Sequence, residues 1–209
     1  MNFNFSFNPQ DEEFVKNVCI ALNDAYVKFN NMFCADYNGC LNVRVFSTRE
    51  EYKQWTGYGD RYESWMVGRC NADENEIGIL VPVESGRTEF EMLLVAKHEF
   101  SHFLINKCFG KSNSIVLGEG IACYLAGQMP NKKIQDSSII SCKKLEEGKF
   151  ANLGGYTLAP VYVKYIVDSY GIGCFVELFK STDYLTILPD NFENNSVEKF
   201  NRSLSSVQM

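Results

Sequence analysis

Residues 88–108, TEFEMLLVAKHEFSHFLINKC, constrain this chain more than any other stretch. Met92, Leu93, Leu94, Val95, Ala96, Phe100, Phe103, Leu104 and Ile105 leave a helix here apolar on nearly every side, so it is expected to be buried. Into that helix the sequence sets His98, Glu99 and His102, and the chain has only two histidines in all. Two buried imidazoles and a carboxylate without partners would cost about 2 kcal/mol or more per unsatisfied group. Something must therefore satisfy them.

A metal ion is one answer. Residues at i and i+4 lie on the same helix face, so His98 and His102 can converge on one ion, the mechanical basis of H-E-x-x-H. Two histidines placed at random in a chain of this length fall four apart about once in a hundred arrangements, before Glu99 is required. The alternative is a histidine pair hydrogen-bonded in the core. A tetrahedral catalytic zinc needs a third protein ligand and keeps its fourth position for water. Glu119, in VLGEGIACYLAG, is the candidate. From His102 the helix has roughly 10 Å to run, and a short break with an antiparallel return would bring Glu119 level with the histidines. Gly118 and Gly120 are expected to let this segment approach the histidine helix closely. The competing role for Glu119 is a carboxylate near a helix N-terminus, favoured by the helix dipole.

Elsewhere the pattern predicts an amphipathic helix over 11–32 and a strand at 41–46 (LNVRVF), followed by a short helix capped by Ser47 or Thr48. Strand-like pieces at 66–70 and 76–83 flank the turn signal NADEN. Beyond the histidine helix come a helix at 118–128, a charged helix end or loop in KKLEEGKF, and a helix from Tyr156 to Tyr170. Pro160 suits only the first turn of that helix, and Gly171 stops it. A short helix at 173–180 and a weakly helical tail follow. The order is helix, strands, then helices, which predicts an α+β fold with a small mixed or antiparallel sheet. One domain is expected over 1–209: residues 1–85 supply a helix and the sheet, and 86–209 are helical and carry the metal site.

HEFSH, then Glu119 after a gap of sixteen residues in a G-E-G-I-A-x-Y-L-A context, resembles the glutamate zincins (gluzincins), and more closely the small bacterial peptidase MA-like domains. The resemblance implies a zincin-like fold in which His98, His102 and Glu119 hold Zn2+ and Glu99 activates the attacking water as general base. LNVRVFSTREEY and GRCNADENEIGILVP are similar to the family's small sheet. Its edge strand, placed at 76–82, would align a peptide by strand addition. GGYTLAPVYVKYIVDSYG resembles a family helix headed by a tyrosine, which makes Tyr156 the candidate for stabilising the oxyanion; packing on the core is its alternative role. The likeness covers about residues 41–180. Two departures stand out. Cys123 occupies the position where thermolysin-like members carry an aspartate behind a histidine ligand, and the G-x-M-E-N motif that anchors a substrate amino terminus is absent.

The implied activity is a zinc-dependent hydrolase cleaving peptide bonds, an endopeptidase on the second departure, with a peptide or protein as substrate. A catalytically inactive module binding zinc and a peptide is the alternative. Peptide deformylase also uses H-E-x-x-H, with a cysteine as third ligand, and NGCLNV around Cys40 faintly resembles its segment. Ser101, however, stands where that family has aspartate, and its glycine-rich opening motif is missing. A net charge of −6 with no basic cluster argues against nucleic acid or an anionic membrane as partner. MNFNFSFNPQDEEF lacks the basic start and apolar stretch of an export signal. The eight cysteines contain no C-x-x-C and several fall at apolar helical positions. These features lead to the expectation of a cytoplasmic protein with reduced thiols.

Overall fold

The computed structural model describes residues 1–206 and is α+β, with a four-stranded mixed sheet and a mainly helical C-terminal part. The residues divide into two compact units, Met1–Cys108 and a second beginning at Phe109.

In the first unit the chain runs β1 (Asn2–Ser6), α1 (Glu12–Phe33), β2 (Cys40–Phe46), α2 (Arg49–Thr56), β3 (Gly68–Asn71), β4 (Glu76–Leu80), α3 (Pro82–Ser85) and α4 (Glu89–Phe109). The sheet order is β1-β2-β4-β3. β1 and β4 both run parallel to β2, and β3 runs antiparallel to β4. Alternation explains its two faces. Leu41, Val43 and Val45 are buried on one side of β2, and Ile77 and Ile79 continue that side on β4. Phe3 of β1 meets Phe100 of α4 edge-on at 5.5 Å, and Tyr37 meets Phe103 in the same way at 5.4 Å, so α4 packs on this apolar face. On the opposite face the Trp55 indole of α2 lies over Gly78, where a Cβ would fall 2.4 Å from the ring. Its Nε1 donates to the buried carboxylate of Glu76 at 2.9 Å, which also pairs with Arg44.

The helix starts follow from local chemistry. Thr48 caps α2 by accepting from the Glu51 amide. Thr88 and Glu91 form a reciprocal box at the start of α4: Thr88 N–H donates to the Glu91 carboxylate, and the Glu91 amide donates to Thr88 Oγ1. Two expectations change here. β1 was not anticipated, although N-F-N-F-S alternates with period two. The strand over 76–80 is internal, between β2 and β3, so the sheet edge beside α4 is β3 and not 76–82. Four of the five β4 residues are apolar or Gly, and all five are buried, as suits a central strand.

The second unit contains α5 (Ile115–Ala126), α6 (Cys142–Glu147), α7 (Gly155–Lys180) and α8 (Phe192–Ser206). KKLEEGKF therefore begins within a true helix, α6. α7 is broken at Gly171, whose φ of 84° and ψ of 165° suit glycine, so the anticipated stop there is a kink between two helical segments. Pro160 lies beyond the first turn, since α7 already starts at Gly155. The close approach made possible by a glycine in α5 is to α7: a Cβ on Gly120 would sit 2.6 Å from Val163 Cγ2 and 2.7 Å from the Ala159 carbonyl oxygen. No helix of the described residues is long and apolar enough to cross a membrane.

Gly120→Ala forces α5 and α7 apart and is expected to cost about 1–3 kcal/mol, the range for overpacking a filled contact. Denaturant unfolding measures it. An unchanged midpoint would mean that the helices have slack at this point.

Candidate metal centre

α4 carries three of the predicted residues within five positions. His98 is buried and His102 is half-buried. Their imidazoles face each other with Nε2 to Nε2 at 3.0 Å and the rings perpendicular, 79° between planes. That separation suits one shared hydrogen bond if a single imidazole carries the proton. It also lies close to the roughly 3.3 Å edge of a tetrahedral site with bonds of 2.0–2.1 Å.

A third donor stands beside the pair. One ligand atom each from His98, His102 and Glu119 lie within 4.8 Å of one another. Two imidazole nitrogens and a carboxylate oxygen drawn together form a group that can hold a metal ion, and none of the three is exposed. The backbone around them is well tied: Asn106 donates to the His102 carbonyl at 2.7 Å and Ser101 to the Lys97 carbonyl at 2.7 Å.

Glu99, between the histidines, lies beside β3. A Cβ on Gly68 would fall 2.9 Å from Glu99 Oε1, 3.0 Å from its Cγ and 2.5 Å from Val95 Cγ1. The Glu99 side chain therefore lies directly against the backbone of β3, at a place where any residue but glycine would collide with it. Sequence reading missed Gly68, although MVGRC puts a glycine inside a strand, a known sign of close backbone approach. The Glu99 charge also reaches two neighbours. Burial, then Glu99, pushes the Cys70 thiol and the Tyr52 phenol well above their ordinary ranges. Cys70 is thus held as a neutral thiol at neutral pH, which makes it a poor ligand or nucleophile.

Tyr156 sits in the first turn of α7, 40% exposed, its ring edge-on to Phe150 at 5.1 Å. It keeps aromatic packing on one side and an accessible hydroxyl-bearing ring on the other. Cys123 is buried in α5.

The chain matches no family model, no curated protein and no solved structure.

If the group binds a divalent ion, a free zinc concentration about a hundredfold above the dissociation constant adds roughly 2.7 kcal/mol of stability. For a chain of this size that is a rise of roughly 5–10 °C in melting temperature. His98→Ala and His102→Ala are expected to abolish the rise and the metal content measured by plasma mass spectrometry. An equal rise in all three proteins would place the zinc elsewhere.

Proposed function

We propose that this protein is a zinc-dependent hydrolase that cleaves peptide bonds, with His98, His102 and Glu119 as ligands and Glu99 as general base. The observation that carries the reading is the grouping of three donors of the His-His-carboxylate type with a carboxylate between the histidines that is turned toward a sheet edge. Two nitrogens and one oxygen form a donor set well suited to zinc, and three protein ligands leave a position open, as catalytic sites require. When bound, zinc supplies Lewis-acid polarisation of the scissile carbonyl and lowers the pKa of water.

The remaining work falls to side chains. Glu99 takes the proton from the attacking water and delivers it to the leaving amine. β3 pairs only with β4 among the described residues. Its outer edge is suited to an extended peptide joining as a further strand, with main-chain hydrogen bonds setting the register. Gly68 on that strand touches Glu99, so a peptide aligned by β3 would be placed in register with the base. Tyr156 is the proposed donor to the developing oxyanion. These features belong to the gluzincin pattern, and they favour an internal peptide bond because nothing in the sequence marks a binding site for a free amino terminus. The absence of a basic cluster fits a peptide partner rather than a nucleic acid.

Glu99→Gln is expected to retain stoichiometric zinc and to lose cleavage of a mixed peptide library. Full hydrolysis by this variant would sink the mechanism. A wild-type chain with stoichiometric zinc, no cleavage and no change on Glu99→Gln would instead identify an inactive zinc- and peptide-binding module. Tyr156→Phe is expected to lower kcat about a hundredfold, in line with loss of one oxyanion donor, with metal content unchanged. If kcat stays the same, the tyrosine is only a packing residue.

A further inference from the structure

A helix begins with backbone amides that have no partner inside it. At α5, which carries Glu119, these are satisfied from two sources. Ser114 is the N-cap, and its Oγ accepts from the Leu117 amide at 2.9 Å. The Gly118 amide makes the first regular helical bond, to the Ser114 carbonyl. The two amides before these, Ile115 and Val116, are both taken by one side chain, Glu146 of α6. Ile115 donates to Oε2 at 3.0 Å and Val116 to Oε1 at 3.3 Å. Glu146 Oε1 also accepts from the Ser114 hydroxyl at 2.5 Å and the Tyr184 hydroxyl at 2.6 Å. A single carboxylate thus closes the start of α5 with three hydrogen bonds, is itself held by a fourth from Tyr184, and adds a negative charge at the positive end of the helix dipole. α6 is itself tied down, since the Cys142 amide at its start donates to Glu193 of α8 at 2.9 Å.

We propose that Glu146 is a positioning residue for the metal ligand Glu119, acting by fixing the first turn of α5. Glu119 is the fifth residue of α5, so any fraying or axial slip of the first turn reaches it directly. Gly120, seated against Ala159 and Val163, limits sideways movement of the helix. It does not fix rotation or slide along the axis. The Glu146 carboxylate does both, because it holds two consecutive amides whose directions define the helix start. Tyr184 and Ser114 in turn hold the carboxylate. This role rests on the proposed metal centre.

The test is a zinc titration against a competing chelator indicator, repeated with Co2+ and its visible spectrum, on the full chain. Outer contacts of this kind are worth about 10–100-fold in metal affinity. Glu146→Ala is expected to weaken zinc binding by about that factor, and its Co2+ spectrum should move toward that of Glu119→Ala. In a Glu119→Ala background the same substitution is expected to change affinity less than about twofold, because a change that acts only through Glu119 loses its effect once that ligand is gone, the non-additivity of a coupled pair. Glu146→Gln, which keeps acceptor oxygen but not charge, should fall between. Val197→Ala, a cavity in α8, controls for lost stability: it should lower the melting temperature and leave the affinity unchanged. Glu146→Ala and Glu146→Gln chains binding zinc as tightly as wild type would overturn the role of Glu146 alone. So would an equal loss with and without Glu119. A wild-type chain that takes up no zinc would overturn the metal reading itself, and this role with it.

Discussion

A helix that is apolar on nearly every side has to be buried, and α4 brings two imidazoles and a carboxylate into that burial. The rest of the first unit is arranged around this constraint. Phe3 and Tyr37 pack on the phenylalanines of α4, and the apolar face of the sheet, Leu41, Val43, Val45, Ile77 and Ile79, backs the same side. Truncating a side chain such as Phe100, which has no exposure, would cost about 3–5 kcal/mol by cavity formation. The framework is therefore rigid where the polar groups sit. Rigidity of this kind lets His98 and His102 hold their nitrogens 3.0 Å apart without a flexible loop to blur the distance.

Glycine serves the two halves of the centre in different ways. Gly68 brings the β3 backbone against Glu99, so that carboxylate and the strand edge are one local structure. Gly120 lets α5 lie close on α7, steadying the helix that carries Glu119. In both places a single added methyl group would meet atoms under 3 Å away. Neither glycine is there for an unusual backbone angle: among the glycines with positive φ, both are missing. Their contribution is the absence of a side chain.

Capping chemistry supports the same organisation. Thr88 with Glu91 starts α4 by a local box, from residues three apart in the chain. α5 starts differently, with a serine of its own and a carboxylate from α6, thirty residues further on. The first device is visible in a short sequence window. The second exists only after folding, because nothing local joins Glu146 to Ile115.

Periodicity and spacing in the sequence settled the buried helix with its i, i+4 histidines, the strand over 41–46, the long helices and the α+β order. Each of these depends on residues within one or two turns of one another. The grouping of Glu119 with the two histidines was also legible, because few carboxylates follow within reach of a helical return. Tertiary structure decided what depends on distant pairing. It made β4 central and β3 the edge, since strand order is set by which buried faces meet. It recruited the N-terminal residues as a fourth strand through parallel pairing with β2, and it assigned Gly68, Gly120 and Glu146 their neighbours. Side-chain period can reveal that a residue is buried. Which atoms it is buried against is fixed only when the chain closes on itself.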